Sequence, residues 1–383
     1  MPGQWSIGGG ITIGGGITFE DDPGYELWSW GKNESGQLGL NNTTTISSPV
    51  QVGTTRYWTN VEMCSYVGKY FGMTFARKTN GTVWSWGRNN YGSLGLNDTI
   101  SRSSPTQIGS LTDWSSQFSS SGYGPLAVKT NGTLWSWGRN SYGALGLGDT
   151  IARSSPVQVG ALTTWATVAG PVGAAAAAIK TDGTLWTWGR SVFGQGGRSN
   201  TTNYSSPVQV GLLTDWSRVY SVGSSRFAIK TNGTLWSWGF DYQGSLGLNS
   251  IIYRSSPVQI GSLNTWASVG SNSNSIFSVI AVQTNGTLWT WGKNYEGQLG
   301  QNDQIPRSSP TQVGTLTTWN AATAGTKVAG AIKSPGALWT FGRGTYGTLG
   351  QNNTTTISSP VQVGTATNWQ TISMGYSGMA LRR

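Results

Sequence analysis

Residues 132–160, GTLWSWGRNSYGALGLGDTIARSSPVQVG, decide the fold, because close copies of this stretch recur along the chain. Aligned on the tryptophan-glycine step, Gly31, Gly87, Gly138, Gly189, Gly239, Gly292 and Gly342 fall in register, 50 to 56 residues apart. The prolines of the Ser-Ser-Pro step (Pro49, Pro105, Pro156, Pro207, Pro257, Pro310, Pro360) keep the same spacing. So do the tryptophans that follow them (Trp58, Trp114, Trp165, Trp216, Trp266, Trp319, Trp369). Seven copies at this period mean a solenoid, an array or a propeller.

Each copy reads as four short strands. In one of them Pro156 to Val159, Trp165 to Ala169 and Ala175 to Lys180 lead to a turn at Asp182-Gly183, and Leu185 to Trp188 returns. Asn80-Gly81, Asn131-Gly132, Asn232-Gly233 and Asn285-Gly286 repeat that turn, and the pattern predicts two-residue hairpins of primed type. The alanine run at 174–178 has helical propensity, but its register predicts a strand. The chain enters the pattern on Glu26-Leu27-Trp28-Ser29-Trp30 and leaves it on Gly378-Met379-Ala380-Leu381-Arg382. The last strand lacks a hairpin partner and the first strand is that partner, so Trp28, Trp30, Met379 and Leu381 are the candidate ring-closure residues. Their pairing closes a ring and removes the exposed edges of an open array. The fold class is therefore all-β, a seven-bladed β-propeller over residues 21–383, closed by pairing of its N- and C-terminal strands.

Residues 1–20 stand apart as an extended glycine- and isoleucine-rich arm. Two glycine triplets separate Ile7, Ile11, Ile13, Ile17 and Phe19, and Trp5 precedes them. Glycine makes ordering such a segment alone costly, while β-branched residues at odd positions suit a strand completed by a partner. The arm reads as a docking element built on these six residues, with a flexible tail as the alternative.

Composition excludes much chemistry. The chain has no histidine and a single cysteine, Cys64, so neither a disulfide within the chain nor a thiolate or histidine metal site can form. Only 14 acidic residues exist, and Asp98, Asp149, Asp182 and Asp303 occupy repeated turn positions, which argues against the paired carboxylates of a glycan hydrolase. No enzymatic activity, cofactor or metal is expected. The start MPGQWSIGGG lacks a basic n-region, and nowhere do eighteen apolar residues follow one another, so neither a signal peptide nor membrane insertion is expected.

The formal charge is +10, carried at repeat positions. Lys32, Arg88, Arg139, Arg190, Lys293 and Arg343 follow the aromatic-glycine step; Lys78, Lys129, Lys180, Lys230 and Lys333 precede the hairpins; Arg102, Arg153, Arg254 and Arg307 precede Ser-Ser-Pro. Equivalent positions form rings that either grip an anionic surface or simply solubilise each blade. The paired tryptophans of Leu-Trp-Ser-Trp-Gly share a strand face and should form the seams between blades. Buried aromatics leave no platform for base stacking, so nucleic acid is not expected as a partner.

Specific recognition is expected where the repeat breaks: at the long first interval with Tyr66, Lys69 and Tyr70, at the fifth with Asn272 and Asn274, and at Arg198 in the fourth copy of the glycine loop, where Ser191 and Gly196 replace asparagine and leucine.

Trp-Gly-x-Asn-x-x-Gly-x-Leu-Gly and Ser-Ser-Pro-Val-Gln-Val-Gly, over residues 25–383, resemble the regulator of chromosome condensation family. The resemblance implies a seven-bladed propeller. It does not choose among that family's nucleotide exchange factors, plant ultraviolet-B photoreceptor and β-lactamase inhibitor. The photoreceptor's Gly-Trp-Arg-His-Thr motif cannot occur without histidine. In style the near-identical repeats, Ser/Thr/Asn-rich loops and leader resemble virion proteins of tailed phages. That resemblance implies a capsid decoration or tail-associated structural protein on the virion surface, joined to other virion proteins through its arm. A host-surface glycan adhesin is the alternative, and an exchange-factor-like or DNA-binding propeller a further one.

Overall fold

The computed structural model describes residues 24–64, 72–270, 277–325 and 327–383, with the backbone of 12–13 and 17–18. The strands Thr12–Ile13 and Ile17–Thr18 pair antiparallel, Ile13 facing Ile17 in register. Trp5, Ile7, Ile11 and Phe19 lie outside the described residues, as do the side chains of Ile13 and Ile17.

Seven four-stranded antiparallel sheets form the body. Blade 1 runs from an inner strand, Trp58–Cys64, through Met73–Lys78 and Val83–Gly87 to an outer strand, Arg102–Gln107. Blades 2 to 6 repeat this order with inner strands Trp114–Ser119, Trp165–Ala169, Trp216–Val222, Trp266–Val269 and Trp319–Ala324. Inner strands of successive blades touch one another around the axis. The Ser-Ser-Pro strand pairs with the tryptophan strand that precedes it, as Trp186 with Gln209, and not with the strand that follows it. Sequence repeat and blade are thus out of phase by one strand. The alanine run is strand Ala175–Lys180, entered through a 3-10 turn at Val172–Ala174.

Blade 7 takes two strands from each end of the described body: Trp369–Met374 and Ser377–Arg382, then Glu26–Gly31 and Ile46–Gln51. Leu27 pairs with Leu381, Trp28 with Ala380, Ser29 with Met379 and Trp30 with Gly378. Gly378 is required here, because a Cβ would sit 2.2 Å from the Trp30 ring.

The two tryptophans of each seam differ in depth. Trp30, Trp86, Trp137, Trp188, Trp238 and Trp291 are fully buried, and most donate their indole N–H to a carbonyl of the preceding blade, as Trp86 does to Gln37 at 2.9 Å. Gly95 takes φ +75° beneath Trp137, where a Cβ would lie 2.6 Å from Nε1. The other tryptophan is only half-buried. Trp84, Trp135, Trp186, Trp236 and Trp289 each bond the threonine two residues earlier, at 2.8–3.0 Å. The inner-strand tryptophan meets their rings edge-on. The seam expectation thus holds for one tryptophan of each pair.

The Asn-Gly turns close three-residue loops, not two-residue primed turns. Lys78 N–H donates to Thr82 O and Gly81 N–H to Lys78 O, so Thr79 and Asn80 are the central turn residues and only Gly81 takes a positive φ. Asn80 Oδ1 accepts from the Thr82 amide and hydroxyl, which fixes this arrangement.

Candidate functional site

The propeller has two unlike ends. One carries the three-residue hairpins and the links between blades. The other carries the loops joining the first to the second strand of each blade and the third to the outer strand, among them the third-to-outer loops of blades 3 and 4 that depart from the repeat.

The loop from third to outer strand is built around an asparagine. Asn89 accepts the Leu94 amide at 2.8 Å and donates Nδ2 to Asp98 Oδ1 at 2.9 Å and to the carbonyls of Asp98 and Ile100. Asn140 and Asn294 make the corresponding bonds with Leu145 and Asp149 and with Leu299 and Asp303. The aspartate then pairs with the arginine four residues on, at 2.5–2.6 Å. The Ile100 and Ile151 amides and these arginines hold Asp98 and Asp149 below the ordinary carboxylate range. Arg102, Arg153 and Arg307 are therefore neutralised within the loop and offer no ring of unbalanced charge. Of the hairpin lysines, Lys129 and Lys230 pair with Asp113 and Asp215 at 3.2 and 3.1 Å. Burial lowers the pKa of Lys78 and Lys180.

The remaining cations interleave with aromatic rings around the loop-rich end. Arg139 lies between Tyr91 and Tyr123, 5.0 and 5.1 Å from their centres; Arg190 lies between Tyr142 and Phe193, at 5.3 and 5.5 Å. Lys32 sits over Tyr346 and Tyr376, and Lys293 over Tyr295.

In blade 4 the pattern inverts. Phe240 takes the place of the cation and packs against Phe193 at 4.6 Å, Tyr253 at 4.8 Å and Phe277 at 5.2 Å. Asp241 takes the place of the asparagine, and Ser250 that of its aspartate partner. Asp241 Oδ1 keeps the Leu246 amide, at 3.2 Å, while Oδ2 is buried without a hydrogen-bond donor. Burial raises this carboxyl's pKa, opposed by hydrogen bonding from the Leu246 amide and from Ser245 and by the Arg254 charge. An open hollow of about 560 Å³ is lined by Asp241, Tyr242, Gln243, Ile251, Ile252 and Tyr253. Ile251 and Ile252 are 69% and 61% exposed, and Tyr242 and Tyr253 39% and 48%.

Of the residues singled out by sequence, Tyr66, Lys69, Tyr70, Asn272 and Asn274 lie outside the described residues. Arg198 is half-buried and turned toward the blade. Its guanidinium donates to the Thr187 carbonyl and hydroxyl and stacks 4.3 Å from the Tyr204 ring centre. Gly196 has replaced the core leucine, and a Cβ there would lie 2.7 Å from Arg198 Nη2, so the arginine fills the vacated space. Sequence reasoning missed Phe240-Asp241, whose signal was its departure from the Lys/Arg-Asn step of other copies. It also missed Arg226, which is fully buried and donates to the carbonyls of Val172 and Ala175 across the blade 3–4 seam.

A second repeated feature lies between blades. Clefts of about 430, 560 and 420 Å³ each combine a half-buried tryptophan (Trp135, Trp289, Trp28) with an inner-strand one (Trp114, Trp266, Trp369) and a proline. The inner-strand indole N–H groups are buried without an acceptor.

The chain belongs to the family of the regulator of chromosome condensation (RCC1) repeat, whose model matches residues 26–65, 80–127, 131–170, 232–275, 285–332 and 335–381. The ultraviolet-B receptor UVR8 of Arabidopsis thaliana is 30% identical over 187 residues, 48% of this chain and 42% of that protein. The human E3 ubiquitin-protein ligase HERC2 is 27% identical over 48% of this chain and 4% of its own length. These matches span less than half of either relative. Among solved structures, Prp20p of Saccharomyces cerevisiae superimposes with a TM-score of 0.79 at 16% identity, covering 94% of this chain and 92% of that one. Human WBSCR16 gives 0.77 at 17% identity, over 94% and 99%. Prp20p is described with binding to Gsp1p and histones. At these identities the likeness establishes the fold. Among the described residues no group of three acidic or cysteine side chains is placed to hold a metal, and no helix is long and apolar enough to cross a membrane.

Proposed function

We propose that this propeller is a non-enzymatic protein-interaction module that engages its partner through the loop-rich end, centred on blade 4. The observation that carries this reading is the cluster of Tyr242, Ile251, Ile252 and Tyr253, solvent-exposed together around one hollow and flanked by stacked cations and tyrosines. Aromatic residues and arginine are what protein interfaces concentrate at their energetic centres. Prp20p, on the same fold, binds other proteins. Affinity capture by the wild type and by Ile251→Asp/Ile252→Asp tests it. Partners lost from this variant but kept by Leu111→Asp, on the opposite end, support the reading; equal capture by all three overturns it.

The setting we propose is a virion, with residues 1–20 tethering the propeller to a capsid or tail protein by strand addition. The leader's regular isoleucines and the near-identical repeats support this. Imaging particles with and without residues 1–20 tests it: density that does not depend on the arm, or no density, removes the tether.

The clefts between blades favour a second reading, a multivalent glycan adhesin, since a half-buried indole beside polar rim groups suits a sugar ring. Saturable binding of host glycans that is lost on Trp135→Ala or Trp289→Ala would favour it over protein recognition.

A further inference from the structure

We infer that the blade 4 hollow is a cation-accepting pocket, built for the ammonium or guanidinium head of a lysine or arginine side chain protruding from the partner. The inference deepens the proposed function and rests on it for the partner's class.

Where blades 1, 2 and 5 place Arg88-Asn89, Arg139-Asn140 and Lys293-Asn294, blade 4 places Phe240-Asp241. Two substitutions in succession replace a fixed cation by an aromatic ring and an amide by a carboxyl. Both changes favour an incoming positive charge.

The loop's own chemistry uses the carboxyl only in part: the Leu246 amide donates to Oδ1 and Ser245 lies beside the group, but Oδ2 has no donor at hydrogen-bond distance. In blade 1 the Asn89 amide donates three bonds, to Asp98 Oδ1 and to two backbone carbonyls. A carboxylate can donate none of these, and Oδ2 of Asp241 is correspondingly left unpaired in a residue only 3% exposed. A buried carboxylate oxygen without a donor is costly, and a cationic donor that reaches it relieves that cost. Ser250 shares this state, its hydroxyl being buried and unpartnered. Two unpaired oxygen groups thus belong to one loop.

The rest of the pocket suits an aliphatic stem ending in a cation. Tyr242 and Tyr253 supply aromatic faces, and Ile251 and Ile252 an apolar rim. Arg254 does not already fill the role. Its charge reaches Asp241, but no hydrogen bond joins them, and the aspartate that its counterparts Arg102, Arg153 and Arg307 use is Ser250 here.

The test uses the full chain and acetylated, amidated Gly-Ser-Lys-Ser-Gly, the same peptide with arginine or norleucine at its centre, and putrescine, each titrated by saturation-transfer NMR. Lysine or arginine peptides should bind, and norleucine should lose about tenfold or more in affinity. Asp241→Asn recreates the residue that blades 1, 2 and 5 carry, so it should fold, should not lower the Tm, and should abolish the preference for a cation. Tyr242→Ala should weaken all peptides. Equal binding of the norleucine peptide, or unchanged lysine binding by Asp241→Asn, overturns the inference. Binding of putrescine without either peptide overturns its assignment to a protein side chain. The two proposals fail separately: partner capture that is lost in Ile251→Asp/Ile252→Asp but intact in Asp241→Asn removes the pocket and leaves the interaction surface.

Discussion

The loops at 88–102 and 240–254 occupy the same place in blades 1 and 4 and solve different problems. In the first, Asn89, Asp98 and Arg102 form a closed chain of bonds in which the described carboxylate oxygens and amide hydrogens find partners inside the loop. In the second, Asp241 keeps one of those bonds and leaves an oxygen unpaired, and aromatic and aliphatic side chains face the solvent around it. The first loop spends its polar groups on its own shape; the second holds them out. In a repeat protein, a position that stops serving the repeat is the place to look for a ligand.

The ring that holds both loops in place sets the largest expected effect. Removing residues 379–383 takes away most of the partner of Glu26–Gly31, so blade 7 cannot form and blades 1 and 6, which pack against it, lose a neighbour and the ring opens. We expect a loss on the order of 5 kcal/mol, or a failure to fold cooperatively, read by urea denaturation. A variant that melts as the wild type does would show that the ends do not close the ring. Next come the seam tryptophans. Trp86→Ala should cost about 3–5 kcal/mol, because it empties a fully buried site and removes one of the two donors to the Gln37 carbonyl, the Thr74 hydroxyl being the other. Trp84→Ala, one tryptophan earlier on the same strand, should cost about half as much, since its ring is already partly in water. Equal costs would mean that the half-buried ring is as much a part of the core.

Moving one loop's chemistry into the other sharpens the comparison directly. Asn89→Asp places a carboxylate against Asp98 and removes the donor to two carbonyls. The expected cost is about 1–3 kcal/mol at neutral pH, shrinking in acid as one of the pair takes up a proton. Adding Asp98→Ser reproduces the blade 4 combination and should recover part of that loss, giving a coupling energy of at least about 0.5 kcal/mol in a double-mutant cycle. Strict additivity would show that the two positions do not act as a unit.

The sequence made the blades legible because a fixed period in three independent landmarks can be read without knowing any contact. Ring closure followed from the phase at which the pattern starts and stops. What stayed hidden depends on packing. The two tryptophans of each strand share a face by spacing alone, but only the neighbouring blade's glycine, as Gly95 under Trp137, decides which is swallowed. Asn80-Gly81 marked a turn, yet its type hangs on the asparagine side chain capturing Thr82. Arg198 was visible as a departure, and its inward direction became legible only with the space left by Gly196. Phe240-Asp241 was readable in principle, in the gap that it leaves in the series of cations. A search for what recurs passes over the one copy where the recurring residue is missing.

The smallest expected effect separates the two loops by the sign of their pH dependence. The Ile100 amide and Arg102 hold the Asp98 carboxyl below its ordinary range, so its contribution to stability is present above that range and is lost as pH falls through the lowered value. Burial holds the Asp241 carboxyl above the ordinary range, so the folded chain keeps a proton that the unfolded chain has released. Its contribution therefore declines as pH rises through the window between the ordinary and raised values, and is constant above it. Difference curves isolate each group. The urea midpoint of Asp241→Asn minus that of the wild type should grow from pH 3 upward and then level off, while that of Asp98→Asn should become more negative over the same range. Curves with the same sign would show that the Asp241 carboxyl is already satisfied in the free protein, and the contrast between the two loops would fall with it.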